Sequence, residues 1–582
     1  MQQNRRNAEA LDAFKIAAAA GGVRNWMAAG MLLASEHKIE EALTCLINAL
    51  DQAPDSDEVL DALITTLFNA GRHQEGILFA RHQLGISKNY RFLSHAALLL
   101  QSNNLYEEAA NAFKIIAAAA GDDPTVLGAA LIPSRFTCEW EWIDSLQERI
   151  CACYGEGNFG APQEYALTHV TWCTNEKYNL NVTQSYLARA VPSSPPKTGQ
   201  PSRHGSRIRV GYLSGDFYNH ATMHLMAGLF ESHDQSRFEI FAYDYSRGDD
   251  SEYRQRFLNS VEHHVEIHAL SDEQAASRIA EDHLDILFDL KGHTGWSRFP
   301  ILAYRPASLQ VAYLGYPGSA ASNHIDYIVS DRFVTPDSSA PFYTEKFCRL
   351  PHSYQCNDSK RPVATESGPR VAHHLPDNKV VFSAFNQSYK IDRTSFAVWM
   401  KVLEAVPNSV LWLLKQSDVA QRNLCRFAQL AGIAPTRLIF APFATSQEHL
   451  ARLQLADAAL DTLVCNGHTT TSDALWASLP VITAQGTHFA SRVSESLLNA
   501  MNLPELVGVD HDDMINIAKR IGIDHEYRQS IRQKIHVNRT SAPLFDTQRF
   551  TKNFELAIEM MVEAHRGSGQ KHHIDVPDCR GG

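Results

Sequence analysis

Apolar and polar residues follow two different patterns along the chain. Over about the first 185 residues, apolar and small residues recur at intervals of three and four, which is typical of amphipathic helices. From Ile208 onward, short apolar runs alternate with helical stretches, which is typical of a parallel sheet covered by helices. The chain therefore divides into a helical part and an α/β part.

The helical part repeats itself. Bulky and small residues fall at the spacing of a tetratricopeptide hairpin, a unit of about 34 residues in which small side chains let two helices pack closely. These residues are Trp26, Gly30, Leu33, Ala42, Leu46, Ala49 and Pro54. The tripeptide Glu-Glu-Ala at 40–42 recurs as Gln-Glu-Gly at 74–76 and as Glu-Glu-Ala at 107–109, although the later repeats as a whole are degraded. We predict a tetratricopeptide-like repeat domain over residues 1–190, with a generic helical bundle as the alternative.

The α/β part predicts two lobes with the same rhythm of strands and helices. A segment rich in Pro and Ser at 191–206 has the composition of a linker, and a second interruption separates the two series of apolar runs. The last residues show no periodicity. We predict a first lobe over 207–360, a second lobe over 373–566 and a disordered tail over 567–582.

Composition and charge narrow the classes of function. A hydrophobic content of 44% and a net charge of −12 describe an ordinary globular protein and argue against coating of nucleic acid or of anionic membranes. No stretch reaches the ~18 apolar residues of a spanning helix, and the N-terminus does not resemble a signal peptide. The cysteines form no CxxC pair and the histidines no HExxH motif, so we predict a cytoplasmic protein with reduced thiols and no metal site.

The stretch "DTLVCNGHTTTSDALW", from Asp461 to Trp476, is the strongest candidate for binding chemistry. Ligands of open parallel sheets bind at the carboxyl ends of strands, and here a strand is followed by a glycine, a histidine and three threonines that open a helix. Unpaired amides at the start of a helix favour a phosphate, although Thr469 or Thr470 could simply cap the helix. Asp473 would repel a phosphate and is better suited to ribose hydroxyls.

Lys390 lies in a second loop of this kind, within "FNQSYKID". The loop follows an apolar run, and Asp392 is placed to cap the next helix. A lysine held there would supply the positive charge that a departing diphosphate needs when no metal is present. An ordinary surface lysine is the alternative.

His220 and two glycine-bearing turns follow strands of the first lobe. His220 comes shortly after Gly215 and Asp216, where an imidazole could accept a proton or orient a hydroxyl, or could simply be solvated. The turns at 290–296 and 314–319 would let a sugar or peptide approach the backbone, with plain turn chemistry as the alternative.

Taken together, these segments resemble the O-linked N-acetylglucosamine (O-GlcNAc) transferases, particularly their shorter bacterial members. The resemblance rests on the repeat helices and on long segments such as "SGDFYNHATMHLM", "RPASLQVAYLGYPGS", "FNQSYKID" and "CNGHTTTSDALWA". It implies an α plus α/β architecture in which helical repeats precede the two Rossmann-like lobes of the GT-B glycosyltransferase fold. It also implies inverting transfer of N-acetylglucosamine from UDP-GlcNAc to protein Ser or Thr, without a cofactor or a metal.

The resemblance further implies roles for individual residues. Lys390 would stabilise the leaving diphosphate, and His220 corresponds to a histidine whose role as general base is contested. The implied substrate-binding residues are Gln387 near the nucleotide; His468, Thr469 and Thr470 at the phosphates; Asp473 at the ribose; Ala444, His449 and Arg452 at the uridine; and Leu314, Gly315 and Pro317 at the sugar. Ser446 stands where animal members carry a lysine, so the uridine contacts are expected to differ in detail.

Other functions remain open on the sequence. The same fold could transfer another sugar or use another acceptor, as in O-fucosyl or N-glucosyl transfer. An inactive repeat scaffold is disfavoured by the presence of Lys390 and of the His468-Thr469-Thr470 set, and a nucleotide-sugar epimerase by the attached repeats. The expected partners are UDP-GlcNAc and acceptor proteins or peptides, with no nucleic acid and no membrane.

Overall fold

The computed structural model describes residues 13–14, 16, 22–192, 196, 198, 205–362, 367–567, 569 and 571–579. Most of the predicted linker at 191–206 lies outside these residues. The chain forms two compact units, Met1–Gln163 and Glu164–Gly582. Among the described helices we find none with the length and hydropathy of a membrane-spanning segment.

The first unit consists of helices that pack on their neighbours in sequence, as the repeat pattern predicts. Its described helices are α1 (Val23–Ser35), α2 (Ile39–Gln52), α3 (Asp57–Asn69), α4 (His73–Ile86), α5 (Tyr90–Ser102), α6 (Tyr106–Ala120), α7 (Pro124–Arg135) and α8 (Trp140–Gly155). Gly30 shows why small residues recur: a Cβ atom there would lie 2.7 Å from Cγ of Leu46 on the next helix. Close packing of α1 against α2 therefore excludes a larger side chain at Gly30.

Two helices predicted to belong to the repeats lie with the α/β part instead. They are α9 (Ala166–Val170) and α10 (Glu176–Ala190). Thr183 of α10 hydrogen-bonds the hydroxyl of Tyr316 at 3.1 Å, and the carboxylate of Glu176 accepts a hydrogen bond from Ser339 at 2.8 Å. The first compact unit consequently ends at Gln163 and not near residue 190.

The first lobe is built on a parallel sheet. Its described strands are β1 (Ile208–Ser214), β2 (Phe238–Asp244), β3 (His263–Glu266), β4 (Ile286–Asp289), β5 (Leu309–Ala312), β6 (Tyr327–Ser330) and β7 (Lys346–Arg349). The helices between them are α11 (Ala221–Ser232), α12 (Glu252–Ser260), α13 (Asp272–Ala280) and α14 (Pro300–Ala303). The strand order β7–β6–β5–β4–β1–β2–β3 reverses next to β1, which brings the carboxyl ends of β1 and β4 together at a position where such sheets bind ligands.

The second lobe repeats the same plan with a smaller parallel sheet. Its described strands are β8 (Val380–Ala384), β9 (Ser409–Leu414), β10 (Leu438–Ala441), β11 (Ala458–Leu460), β12 (Val481–Ala484) and β13 (Val507–Gly508). Its helices are α15 (Arg393–Ala405), α16 (Asp418–Leu430), α17 (Ser446–Leu453), α18 (Thr469–Trp476), α19 (Phe489–Ala500), α20 (His511–Ile523) and α21 (His525–Ser541). The order β10–β9–β8–β11–β12–β13 places β8 and β11 side by side, so the loops that carry Lys390 and His468 are neighbours.

The C-terminal segment completes the first lobe, which corrects two predictions. Helix α22 (Thr547–Gly567), predicted to end the second lobe, buries Phe554 and Ile558 in the hydrophobic core of the first lobe. The tail was predicted to be disordered, but β14 (Ile574–Asp575) pairs in parallel with β7, and Ile574 is buried. A helical period shows that a segment has an apolar face but not which sheet that face covers.

Candidate active site

A cavity of about 1150 Å³ lies at the carboxyl ends of the first-lobe strands and reaches the start of α18 in the second lobe. The predicted site residues that line it are His220, Leu314, Gly315, His468 and Thr469. Asp216, Tyr245, Lys291 and Gln355 also line it, although the sequence did not single them out as site residues. Loops that are far apart in the sequence thus meet in one cleft between the two lobes.

His220 is the residue that caps helix α11. Its Nδ1 atom accepts a hydrogen bond from the backbone N–H of Thr222 at 3.2 Å. Burial lowers the pKa of His220 below its ordinary value, although the carboxylate of Asp216 opposes that shift. Acceptance of the Thr222 amide by Nδ1 favours the neutral tautomer with its proton on Nε2, in which Nε2 is a donor, whereas the carboxylate of Asp216, 3.7 Å from Nδ1, favours the other tautomer.

A buried ion pair forms the cavity wall beside His220. The ammonium of Lys291 donates to both carboxylate oxygens of Asp216, at 2.9 and 3.0 Å, and each side chain is less than one-tenth exposed. Asp289, at the end of β4, accepts the backbone N–H groups of Lys291 and Gly292, while burial raises its pKa to about 6. Lys291 directly follows a predicted strand, and this position could have identified it as a candidate site residue. It was missed because the segment 290–296 was interpreted only as a glycine-bearing turn.

The glycines of the two predicted turns, at 290–296 and 314–319, allow the two loops to pack closely against each other. A Cβ atom at Gly315 would lie 2.3 Å from the carbonyl oxygen of Leu290, so only glycine allows this approach. Leu314 takes a left-handed backbone conformation with φ of 69° and borders the cavity. Pro317, expected beside the sugar, lies instead in a small cleft formed with Leu180 of α10.

In the second lobe, Asp461 organises the loop before α18. Its Oδ1 atom accepts the backbone N–H groups of Thr462 at 2.9 Å and Gly467 at 2.8 Å, and its Oδ2 atom accepts the hydroxyl of Thr483 at 2.9 Å. Gly467 packs closely on its own helix, since a Cβ atom there would lie 2.9 Å from Oγ1 of Thr471.

Helix α18 begins without a cap. His468 occupies the N-cap position, and within the described residues no side chain accepts from the first-turn amides. The prediction that Thr469 or Thr470 caps the helix is therefore wrong, because both lie inside its first turn. Burial and the charge of Lys390 lower the pKa of His468 to about 3, so this ring is neutral. The exposed amides and the helix dipole remain available to an anion.

Lys390 lies against the same loop. Its ammonium donates to the carbonyl oxygen of Asn466 at 2.7 Å, two residues before His468. Burial opposes its charge, but attraction to Cys465, Tyr389 and Asp461 raises its pKa, so the ammonium stays protonated. The predicted cap is confirmed: Asp392 accepts the backbone N–H groups of Thr394 and Ser395 at the start of α15.

The residues expected at the uridine form a cluster at the ends of β8 and β10. Arg452 donates from Nε to Nδ1 of His449 at 3.1 Å, and its guanidinium lies 4.7 Å from the ring centre of Phe385. Burial lowers the pKa of His449 to about 4, so its ring is neutral. Ala444 and Gln387 are exposed nearby on loops of the same lobe.

Asp473 is already paired in this structure. Its Oδ1 atom accepts a hydrogen bond from Nη1 of Arg361 at 2.6 Å. Arg361 was missed because it falls in the interruption between the two predicted lobes. The pair joins the segment that connects the lobes to the helix that opens the anion site.

The arrangement can hold an anion at α18 and a hydroxyl-bearing group in the first-lobe cavity. The amides of α18 and the ammonium of Lys390 supply positive potential at one side of the cleft. His220 and the Asp216–Lys291 pair supply polar groups at the other side. Among the described residues, no three His, Cys, Asp or Glu side chains are grouped as a metal site would require.

Comparison with known proteins places the chain in a family. The model of glycosyl transferase family 41 matches residues 187–365 and 359–554. A probable UDP-N-acetylglucosamine–peptide N-acetylglucosaminyltransferase, SEC, of Arabidopsis thaliana is 37% identical over 64% of this chain and 38% of its own length. The UDP-N-acetylglucosamine–peptide N-acetylglucosaminyltransferase of Caenorhabditis elegans is 30% identical over 64% of this chain and 42% of its own length.

The chain thus spans about two fifths of the length of these relatives. Among solved structures, a mutant O-GlcNAc transferase of Thermobaculum terrenum superposes with a TM-score of 0.72 at 22% identity and covers 94% of this chain and 99% of its own. That likeness confirms the predicted fold of helical repeats followed by two Rossmann-like lobes. Since the family model matches well over half of the sequence, the chain is a member of glycosyl transferase family 41.

Proposed function

We propose that this chain transfers N-acetylglucosamine from UDP-GlcNAc to Ser or Thr hydroxyls of proteins, with inversion and without a divalent metal. The observation that carries the proposal is the uncapped start of α18 beside the ammonium of Lys390. A departing UDP gains negative charge in the transition state. Hydrogen-bond donors that are already held where this charge develops lower the activation free energy most. These groups would do what a metal does in other glycosyltransferases.

The nucleotide would lie on the second lobe. His468, Thr469 and Thr470 would contact the diphosphate, while His449, Arg452 and Ala444 would surround the base, with Gln387 nearby. The neutral state of His449 suits it to hydrogen bonding and stacking with an uncharged uracil. Leu314 and Gly315 would border the sugar, but the position of Pro317 beside α10 removes it from that set.

His220 would orient the acceptor or the sugar and would not take the proton. Its Nδ1 lone pair is used by the amide of Thr222, and the residue lines the cavity, so Nε2–H would be its donor there. A donor can hold the oxygen of a hydroxyl in line for attack, and positioning by this means is worth about 10²-fold. The acceptor hydroxyl would reach the sugar from the first-lobe side, opposite the leaving UDP, as inversion requires.

The acceptor is proposed to be a protein or peptide. The relatives from Arabidopsis and Caenorhabditis are named as peptide N-acetylglucosaminyltransferases, and helical repeats of the kind found in the first unit are common protein-binding surfaces.

The test is calorimetric titration of the protein with UDP, with and without EDTA, followed by incubation with UDP-GlcNAc, other UDP-sugars and GDP-fucose. We expect UDP to bind equally well with the chelator, and mass spectrometry to show N-acetylhexosamine added to Ser or Thr. Affinity that collapses on chelation would remove the metal-independent mechanism. Transfer from GDP-fucose alone would replace the proposed sugar.

A further inference from the structure

Arg361 lies between the lobes with two of its donors unused. The residue is 5% exposed, and its guanidinium makes one described hydrogen bond, from Nη1 to the carboxylate of Asp473. Its backbone N–H donates to the carbonyl oxygen of Asp358. Nε and Nη2 are buried and have no hydrogen-bond partner among the residues that the structure describes. Buried guanidinium donors are normally satisfied, so two idle donors on one side chain need an explanation.

The side chain stands next to the proposed anion site. Asp473 is four residues after Thr469 on α18, and residues four apart share one face of a helix. Arg361 therefore lies over the face of α18 whose first turn carries the unpaired amides. Its charge also contributes to lowering the pKa of His449, after burial and Arg452, which places it within electrostatic reach of the proposed uridine pocket.

The charge balance of the leaving group supports a second cation. A nucleoside diphosphate that departs from a sugar carries about two to three negative charges at neutral pH, because its last phosphate titrates near pH 6. Lys390 supplies one positive charge, and the start of α18 about half of one. Stability does not account for the pair, since buried ion pairs contribute little to folding.

We propose that Arg361 is a phosphate-binding residue for a nucleoside diphosphate, with its unused Nε and Nη2 donors facing the phosphate while Nη1 stays paired with Asp473. The inference rests on the proposed function, because it assigns a further residue to the same nucleotide site. Nε and Nη2 form one edge of the guanidinium fork, which matches two phosphate oxygens. Asp473, bound to Nη1, holds this fork in place.

The test is the affinity of the protein for uridine, UMP and UDP, measured by calorimetry for the wild type and for Arg361→Gln. Charge-assisted hydrogen bonds predict that Arg361→Gln weakens UDP binding about tenfold or more and uridine binding less than about threefold. Arg256→Gln is the matched control. Arg256 is also a partly buried arginine of an ion-pair network, with Glu231 and Asp358, and its loss should leave UDP affinity unchanged.

A double variant separates phosphate binding from simple neutralisation of Asp473. Arg361→Gln alone leaves a buried carboxylate that would repel UDP, whereas Arg361→Gln with Asp473→Asn leaves neither charge. We expect UDP binding to stay weak in the double variant. Recovery to the level of Asp473→Asn alone would overturn the inference, because it would show that Arg361 acts only on Asp473.

The same titrations separate failure of this inference from failure of the proposed function. Wild-type protein that binds UDP, together with an Arg361→Gln variant of equal affinity, would overturn this inference and leave the proposed function standing. Wild-type protein that binds none of the three ligands would overturn both. If Arg361→Gln loses its cooperative thermal transition, the double variant, which buries no unpaired charge, carries the test.

Discussion

Two helix starts face the same cleft, one from each lobe, and each has a histidine at its N-cap position. His220 caps α11 with its own Nδ1 atom, which accepts the amide of Thr222. His468 precedes α18 and caps nothing among the described residues. The first helix therefore satisfies an amide internally, while the second keeps its amides for a ligand.

The residue type at the start of a helix therefore does not determine whether that start can bind a ligand. At α11, the cap leaves the imidazole as a neutral donor beside a buried Asp216–Lys291 pair. At α18, Asp461 binds the amide of Gly467 and shapes the loop without reaching the helix amides. One side of the cleft is thus suited to hydroxyl groups, and the other to a diphosphate.

The largest effect is expected from Lys390→Ala. Loss of the ammonium that stabilises the leaving diphosphate should lower kcat about 10³-fold. The melting temperature should stay within a few degrees of the wild-type value. Steady-state transfer assays and thermal unfolding measure the two quantities. A variant with near-normal turnover would show that the α18 side of the cleft does not stabilise the leaving group.

His220 should follow, with a loss that depends on the substitute. We expect His220→Ala to lower kcat/KM about 10²-fold and His220→Asn to lower it less than about tenfold, because asparagine can both cap α11 and donate to a hydroxyl. The readout is kcat/KM against pH from 5.5 to 9.

A fall of more than about a thousandfold in His220→Asn, with loss of the acidic limb of the profile, would instead establish His220 as the base.

His468→Asp tests whether the uncapped helix start binds the anion. A carboxylate at that position should weaken UDP binding about tenfold by repulsion, although it should not harm α18, whose dipole favours a negative charge there. His468→Asn is the control, since it removes the ring without adding charge. Equal affinities of the two variants would place the diphosphate elsewhere.

The smallest effect concerns acid stability, in which the two lobes should behave alike. Burial lowers the pKa of His293 in the first lobe and of His488 in the second to about 4. Because these values lie below the ~6.5 of the unfolded chain, the contribution of each neutral ring is complete above pH ~6.5 and is lost as the pH falls toward 4. At pH 6 each histidine should lower the free energy of unfolding by ~0.8 kcal/mol relative to its value at high pH.

Urea unfolding at pH 7.5, 6 and 5 measures this loss, and His488→Asn should reduce its slope. An unfolding free energy that stays constant from pH 7.5 to 5 would contradict the prediction.

Much of the local structure could be predicted because the spacing of apolar residues along the chain distinguishes helices from strands. The apolar runs predicted from Ile208 onward begin with β1, and the helix that Asp392 was predicted to cap begins at Arg393. The loops with His220, Lys390 and His468 were found because chemistry in parallel sheets collects after strands. The signal at Arg361 was too weak, since it follows no strand and its partner lies more than a hundred residues away.

The sequence by itself determined the fold class, the order of the elements and the loops that face the cleft, because these depend on neighbours within about one helix or strand length. Tertiary structure alone decided that α22 and β14 complete the first lobe, that Pro317 turns toward α10, and that Lys291 pairs with Asp216. It also decided which helix start remained uncapped. These features depend on contacts between distant segments, whose free energies come from packing and charge pairing that no local pattern encodes.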